Sequence, residues 1–294
     1  MRARRFAWLV TVIGLVMIAA VTAACGDDEE DAGGDGDAAP AALSAADVDC
    51  TALALTAPER IETAGKFVVA SDLSYAPIDF VKEGTNEPIG LDADLAHCIA
   101  EAWGVDVEIQ NVSFDAIIPA LTSSKVDVIM SAMTDTEERR KTVDFVDYFI
   151  AGSGILVRSG NPESIEALAS LCGKQVAIQV GTIQIDEAAE QNASCDKAID
   201  IQTFEQNTDA IQAVVSGRAV AALMDFPVAA YSAANVTGTL VVGEQFNTAP
   251  YGFAVRQDDK PMSEGLAAAI DAMRAGGQYD AILEYWSLEA GRLP

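Results

Sequence analysis

One histidine, His97, is all the imidazole the chain has, and no two of its cysteines stand in a CxxC pair. A Ser–His–Asp nucleophile cannot be assembled around a lone histidine on the polar side of a helix-like segment, and metal binding loses its most familiar spacings. Cations are scarce as well: 18 Lys and Arg face 45 Asp and Glu, a formal charge of −27. A phosphate backbone demands basic patches, so nucleic acid is excluded as a partner. Acids are plentiful, yet nothing in their spacing nominates a pair for proton transfer. No cofactor and no metal are expected.

What is present begins with MRARRFAWLVTVIGLVMIAAVTAAC, where Arg2, Arg4 and Arg5 precede an apolar run from Phe6 to Val21 and small residues lead up to Cys25. That is the layout of a secretory signal over residues 1–24, not of a fold element. A signal that ends at a cysteine is similar to a bacterial lipoprotein signal, which implies lipid on the Cys25 thiol and a body tethered to the outer face of the cell membrane. Thr22 stands where the leucine of such signals usually does. The competing reading is an uncleaved single-pass anchor, since the run falls only a little short of a bilayer span. Residues 26–49 hold nine acids and no base, so residues 25–49 read as a self-repelling, flexible linker that cannot build a core. Four cysteines remain, Cys50, Cys98, Cys172 and Cys195. An even number in an exported chain predicts two disulfides with three possible connectivities, of which the sequence-local one, Cys172 with Cys195 and Cys50 with Cys98, is expected.

From Lys66 onward, apolar strand-like runs alternate with helix-like patterns, the signature of α/β architecture. KFVVAS (66–71), VDVEIQ (105–110) and VDVIMSA (126–132) read as strands. A helix opening at Asp92 or Asp94 puts Leu95, Cys98, Ile99 and Ala102 on one face and stops at Gly104. Ser113 is placed to cap FDAIIPALTSS, in which Pro119 removes one helical hydrogen bond. A second series follows: GILVR from Gly154, KQVAIQVGT (174–182), IDIQTF (199–204), AVAALMD (219–225) and TLVVG (239–243). TDAIQAVVSG lies between them with Thr208 as cap and Gly217 as stop. YGFAVR (251–256) precedes two terminal helices, SEGLAAAIDAMRAGG and QYDAILEYW. The same grammar occurs twice in a chain longer than the usual single domain, which predicts two Rossmann-like α/β lobes joined by a two-crossover hinge. Lobe 1 comprises residues 50–150 and 250–294, and lobe 2 residues 151–249.

Six segments, in order, carry a specific resemblance: DLSYAPIDF, GLDADLAHCIAEAWG, SFDAIIPALTSSKVDVIMSAMTDTEERRKTVDFVDYF, GKQVAIQVGT, MDFPVAAY and GQYDAILEYW. Between about Lys66 and Trp286 the chain resembles the two-lobed bacterial extracellular solute-binding proteins of polar amino acid ABC transporters. The resemblance implies the periplasmic-binding-protein fold, a monomer without enzymatic activity, capture of a polar amino acid between the lobes, and delivery to a membrane permease.

It also implies a site. An arginine five residues after Thr134 selects Arg139, not Arg140, for the ligand's α-carboxylate. The planar guanidinium fork suits two charge-assisted bonds that Lys141 cannot reproduce, while Arg140 and Lys141 read as a solvated face. Thr134 adds a hydroxyl. Asp225 receives the α-ammonium, an Asx turn before Pro227 being its other reading, and Ser131 or Ala132 offers the ammonium a carbonyl. Gly181 and Thr182 form the second-lobe loop over the carboxylate, with Ile183 where relatives often carry a small hydroxyl residue. Tyr75 and Phe114 flank the ligand's side chain, although Phe114 equally suits a helix staple. Asp72 reaches the far end of that side chain, which points to a glutamine-like, basic or other polar amino acid. The alternatives are an exported dehydratase-like enzyme acting on a small carboxylic acid, and a ligand sensor. Pairing Arg139 with Asp225 favours a zwitterion over a simple acid.

Overall fold

The computed structural model describes residues 48–293. The signal, Cys25 and nearly all of the acidic linker lie outside the described residues. The chain opens with α1 (Glu59–Ala64), β1 (Lys66–Ser71), β2 (Ser74–Tyr75), β3 (Asp79–Val81), β4 (Pro88–Ile89), α2 (Leu91–Trp103), β5 (Asp106–Asn111), α3 (Phe114–Thr122) and β6 (Val128–Ile129). A long strand β7 (Val143–Arg158) leads to β8 (Gln175–Gln179), α4 (Ile183–Asn192), β9 (Asp200–Phe204), α5 (Asn207–Val215), β10 (Ala221–Asp225) and α6 (Phe226–Asn235). The second long strand, β11 (Thr239–Arg256), returns the chain to α7 (Lys260–Gly276) and α8 (Gln278–Tyr285).

The main sheet runs β5-β1-β6-β11-β7-β10-β8-β9, and β2, β3 and β4 form a small antiparallel sheet of their own. β5, β1 and β6 are mutually parallel, and so are β10, β8 and β9. Between the two sets β7 and β11 pair antiparallel. β11 meets β6 at Ala254 while β7 meets β10 from Ser153 onward, so each long strand serves both halves of the sheet. Their register slips between Val242 and Phe246, between Phe246 and Ala249, and between Tyr251 and Gly252. Bulges of this kind bend a strand, which lets one ladder turn between two halves.

This corrects part of the sequence reading. GILVR, TLVVG and YGFAVR are not separate strands but pieces of β7 and β11, and VDVIMSA contributes only Val128–Ile129 to the sheet. α2 starts from Gly90, with neither Asp92 nor Asp94 capping it. Gly90 has φ +127° and packs so closely on the Ile78 carbonyl that a Cβ would collide with it. Ser113 occupies the N-cap position of α3 without a capping bond; Asp72 accepts the Phe114 N–H instead, at 3.1 Å. Thr208 lies inside α5, whose N-cap position belongs to Gln206.

The cores follow from the apolar faces. Leu91, Leu95 and Ile99 of α2 are fully buried against Phe67 and Val69 of β1, with Met262, Leu266 and Met273 of α7 in the same cluster. Each such side chain contributes about 1.5–3 kcal/mol by leaving water. A separate cluster of Ile155, Val157, Val176, Ile178 and Leu223 holds the far half of the sheet. Aromatics of the two long strands pack on one another: Tyr148 of β7 stacks on Phe253 of β11 with ring centroids 4.2 Å apart. Disulfides pair Cys50 with Cys98 and Cys172 with Cys195, the sequence-local solution. Among the described residues no helix is long and apolar enough to cross a membrane.

Candidate functional site

Loops that follow the C-terminal ends of parallel strands gather ligands in open α/β sheets, because helix N-termini and free backbone groups converge there. Here the residues at and beyond the ends of β1, β6, β8 and β10 line one narrow cavity. One half of the molecule contributes Asp72, Tyr75, Phe114, Ala132, Thr134 and Arg139; the other contributes Gln179, Thr182, Ile183, Gln184 and Asp225. Eight of the ten residues singled out from sequence thus line one cavity. The remaining two stand just behind it: Ser131 Oγ accepts the Asp72 N–H at 2.8 Å, and the Gly181 carbonyl accepts Arg139 Nη2 at 3.1 Å. Gln179 and Gln184 were missed. Their signal was a glutamine inside the apolar run of β8 and another in the first turn of α4, both now buried.

Arg139 opens a short 3-10 turn, Arg139–Lys141, that aims it inward. Its Nη1 donates to the Thr134 carbonyl at 2.7 Å, and its Cζ lies 5.3 Å from the centre of the Phe114 ring. Two of five N–H donors are therefore used, and the rest are free for an anion. Burial pulls the guanidinium's pKa down, opposed by Asp225, Tyr75 and Asp186. Arg140 and Lys141 turn outward to pair with Asp135 and Glu138.

Asp225 closes β10 and is only 6% exposed. Its Oδ1 accepts Gln184 Nε2 at 2.7 Å, and the same amide reaches Ser153 Oγ at 3.0 Å. The carboxylate makes no capping bond to α6, against the Asx-turn reading. Burial pushes its pKa up, while Tyr251, Gln184, Tyr75 and Arg139 pull it the other way. Asp72 is also buried: Oδ1 accepts the Ser74 N–H at 3.1 Å, and Oδ2 accepts Gln179 Nε2 at 2.6 Å. Burial raises its pKa too, against those bonds. Among the described residues Arg139, Asp72 and Asp225 have no ion-pair partner.

The two sides touch directly. Asp72–Gln179 and Arg139–Gly181 cross the cleft, Tyr75 Oη accepts the Asp225 N–H at 2.9 Å, and Ser74 Oγ accepts the Asn207 N–H at 3.1 Å. Gly181 has φ +81°, and a Cβ there would stand 3.2 Å from Asp115 Cα across the gap, so glycine permits the close approach. One cation, two acids and two amides around so small a space complement a compact zwitterion. A larger hollow, walled by Phe226, Tyr231, Tyr285 and Trp286, has no charged side chain in its lining. No His, Cys, Asp and Glu grouping suited to a metal occurs among the described residues.

The sequence profile of the bacterial extracellular solute-binding proteins, family 3, matches residues 67–289. The arginine-binding protein ArgT of Corynebacterium glutamicum is 30% identical over 242 residues, covering 80% of this chain and 79% of its own. Among solved structures, an ancestral amino acid-binding protein described as a precursor of cyclohexadienyl dehydratase superposes with a TM-score of 0.71 at 38% identity, over 78% of this chain and 98% of that one. An ancestral arginine-binding protein bound to glutamine gives a TM-score of 0.71 at 38% identity, over 76% and 99%.

Proposed function

The chain belongs to the family 3 bacterial extracellular solute-binding proteins, and from that premise we propose that its cleft captures a polar amino acid as the zwitterion. The observation that carries the reading is a cation and a carboxylate, Arg139 and Asp225, without an ion-pair partner among the described residues and lining one cavity from opposite sides. Arg139 takes the α-carboxylate with Thr134, Gly181 and Thr182 around it, and Asp225 takes the α-ammonium beside Ser131 and Ala132. Asp72 and Gln179, already bonded to each other, face the ligand's side chain between Tyr75 and Phe114. Relatives named for arginine, and one bound to glutamine, make these two amino acids the first probes.

Residues 50–150 and 250–294 form one lobe and residues 151–249 the other, hinged where β7 and β11 slip register. A ligand that bonds to both lobes shifts the population toward the closed form. Lipid on Cys25 tethers the protein, the acidic linker gives it reach, and as a monomer it delivers ligand to an ABC permease. The kinship with a dehydratase precursor favours one second reading, an enzyme in which Asp72 or Asp225 moves a proton. The Arg139 and Asp225 pairing supports binding over that chemistry, because a simple acid leaves Asp225 without a partner.

A thermal-unfolding screen of protein refolded from denaturant, against the twenty amino acids and simple carboxylates, tests the proposal. Ligand at ~1,000 times its dissociation constant adds about 4 kcal/mol, a shift of roughly 10 °C for a domain of this size. Response to one or a few polar amino acids is expected. Response only to carboxylates lacking an amine would put the enzyme reading first.

A further inference from the structure

Beneath the cavity floor lie two carboxyls that form no ion pair among the described residues. Asp79 on β3 and Asp92 in the first turn of α2 are each 1% exposed and face one another. Asp79 Oδ1 accepts Ser71 Oγ–H at 2.6 Å, and Asp92 Oδ2 accepts the Ala132 N–H at 2.8 Å. Their second oxygens, Asp79 Oδ2 and Asp92 Oδ1, are buried without a protein donor, as is the Tyr148 hydroxyl beside Asp92. Two carboxylates in such surroundings cannot both be ionised, since each would stand desolvated against a like charge. One proton between Asp79 and Asp92 gives both orphaned oxygens a partner, and donation from Tyr148 to Asp92 satisfies the third.

The pair is bonded to both strand ends that build the site. Ser71 is the last residue of β1, immediately before Asp72. Ala132 has φ +46°, a conformation that non-glycine residues hold only when their surroundings over-determine it. The bond from its N–H to Asp92 supplies that constraint. On one side of Ala132, Ser131 accepts the Asp72 N–H; two residues on, the Thr134 carbonyl accepts Arg139.

We infer that Asp79 and Asp92 are positioning residues that share one proton and clamp the ends of β1 and β6 in the arrangement that presents Asp72, Ala132 and Thr134 to the ligand. The ligand in this statement rests on the amino acid reading above, whereas the clamp is tested without one. Burial, and then the charge of Asp92, hold Asp79 far above the ordinary carboxyl range. Burial raises Asp92 to about 6, against the bonds from Tyr148, Ala132 and Asp79. Asp72 and Tyr148 are the other ionisable groups facing the pair, and Tyr251 and Tyr279 stand against Tyr148.

A folded-state pKa above the unfolded value of about 3.9 means that the pair's contribution to stability is complete below that pH and is lost as pH rises through the folded value. Asp92→Asn keeps an acceptor for Ala132 and offers an amide donor to Asp79, so that Asp79 Oδ2 is satisfied without the shared proton. In ligand-free protein its unfolding midpoint is expected to gain on wild type as pH rises from about 5 to 7. Hydrogen exchange at the Ala132 amide, read against Ala222 and Leu223 of β10, should stay at the wild-type rate in Asp92→Asn. It should quicken roughly ten-fold or more in Asp92→Ala. A midpoint difference that stays flat across that pH range would overturn the shared proton, and equal Ala132 exchange in all three proteins would overturn the clamp. Should Asp92→Ala not fold, the pH series on Asp92→Asn decides. Failure of wild type to bind L-arginine, L-glutamine or any other amino acid would count against capture and leave both ligand-free results standing.

Discussion

Tyr75 Oη accepts the backbone N–H of Asp225 at 2.9 Å across the cleft, joining β2 to the end of β10 over a sequence separation of 150. An aromatic expected to serve the ligand as an apolar face is therefore also a latch between the halves. Tyr75→Phe keeps the ring and removes the latch, leaving a buried N–H unpaired. Loss of about 1–2 kcal/mol of closure is expected, read by calorimetry as a roughly ten-fold weaker amino acid affinity.

Arg139→Lys keeps the charge but loses the fork that engages Thr134, Gly181 and an incoming carboxylate at once. Affinity should fall about 100-fold. Arg140→Lys gives up one arm of a two-pronged pair with Asp135, whose side chain is 2% exposed and lies outside the cavity lining, and should cost about 1–3 kcal/mol of stability with affinity unchanged. Equal effects at the two positions would assign the anion grip wrongly.

Binding and stability should respond to pH with opposite signs at Asp225. Burial raises its pKa, so its contribution to ligand-free stability is present below the unfolded carboxyl value and is lost as pH rises through the folded one. An ammonium ligand needs the ionised form. Affinity should weaken as pH falls from 7 toward 5, with proton uptake by the released protein, and titration calorimetry in two buffers of different ionisation heat measures that uptake. Asp225→Asn should bind weakly and lose the slope.

Opening the Cys172–Cys195 bridge, whose partners are 23 residues apart in sequence, should lower stability by about 3 kcal/mol in a denaturant titration of the double serine variant. The bridge joins the approach to β8 to the far end of α4, away from the cavity lining. Affinity at saturating stability should stay within about two-fold of wild type, a change too small to register as a lost contact.

Eight of the ten candidate residues named from sequence line one cavity, because the resemblance ties each to a fixed step from a local pattern. The resemblance assigns roles to Arg139 five residues after Thr134, to Asp225 at the end of an apolar run and to Thr182 three residues past a strand, and the structure brings all three to one cavity lining. Gln179 and Gln184 were not legible, since their meaning comes from partners 107 and 41 residues away, Asp72 and Asp225. Asp92 was misplaced for the same reason. An acid near a helix start reads as a cap, and only packing against β3 and the Ala132 loop turns it inward.

By itself the sequence determined the alternation of strands and helices and the identity of the charged groups at the strand ends, because side-chain periodicity and short-range spacing act within a few residues. Tertiary structure alone decided that β7 and β11 run unbroken through both halves, that Tyr75 latches Asp225, and that Asp79 meets Asp92 beneath the floor. Those outcomes depend on which distant backbone and side-chain groups can satisfy one another once water is excluded, and no local pattern encodes that choice.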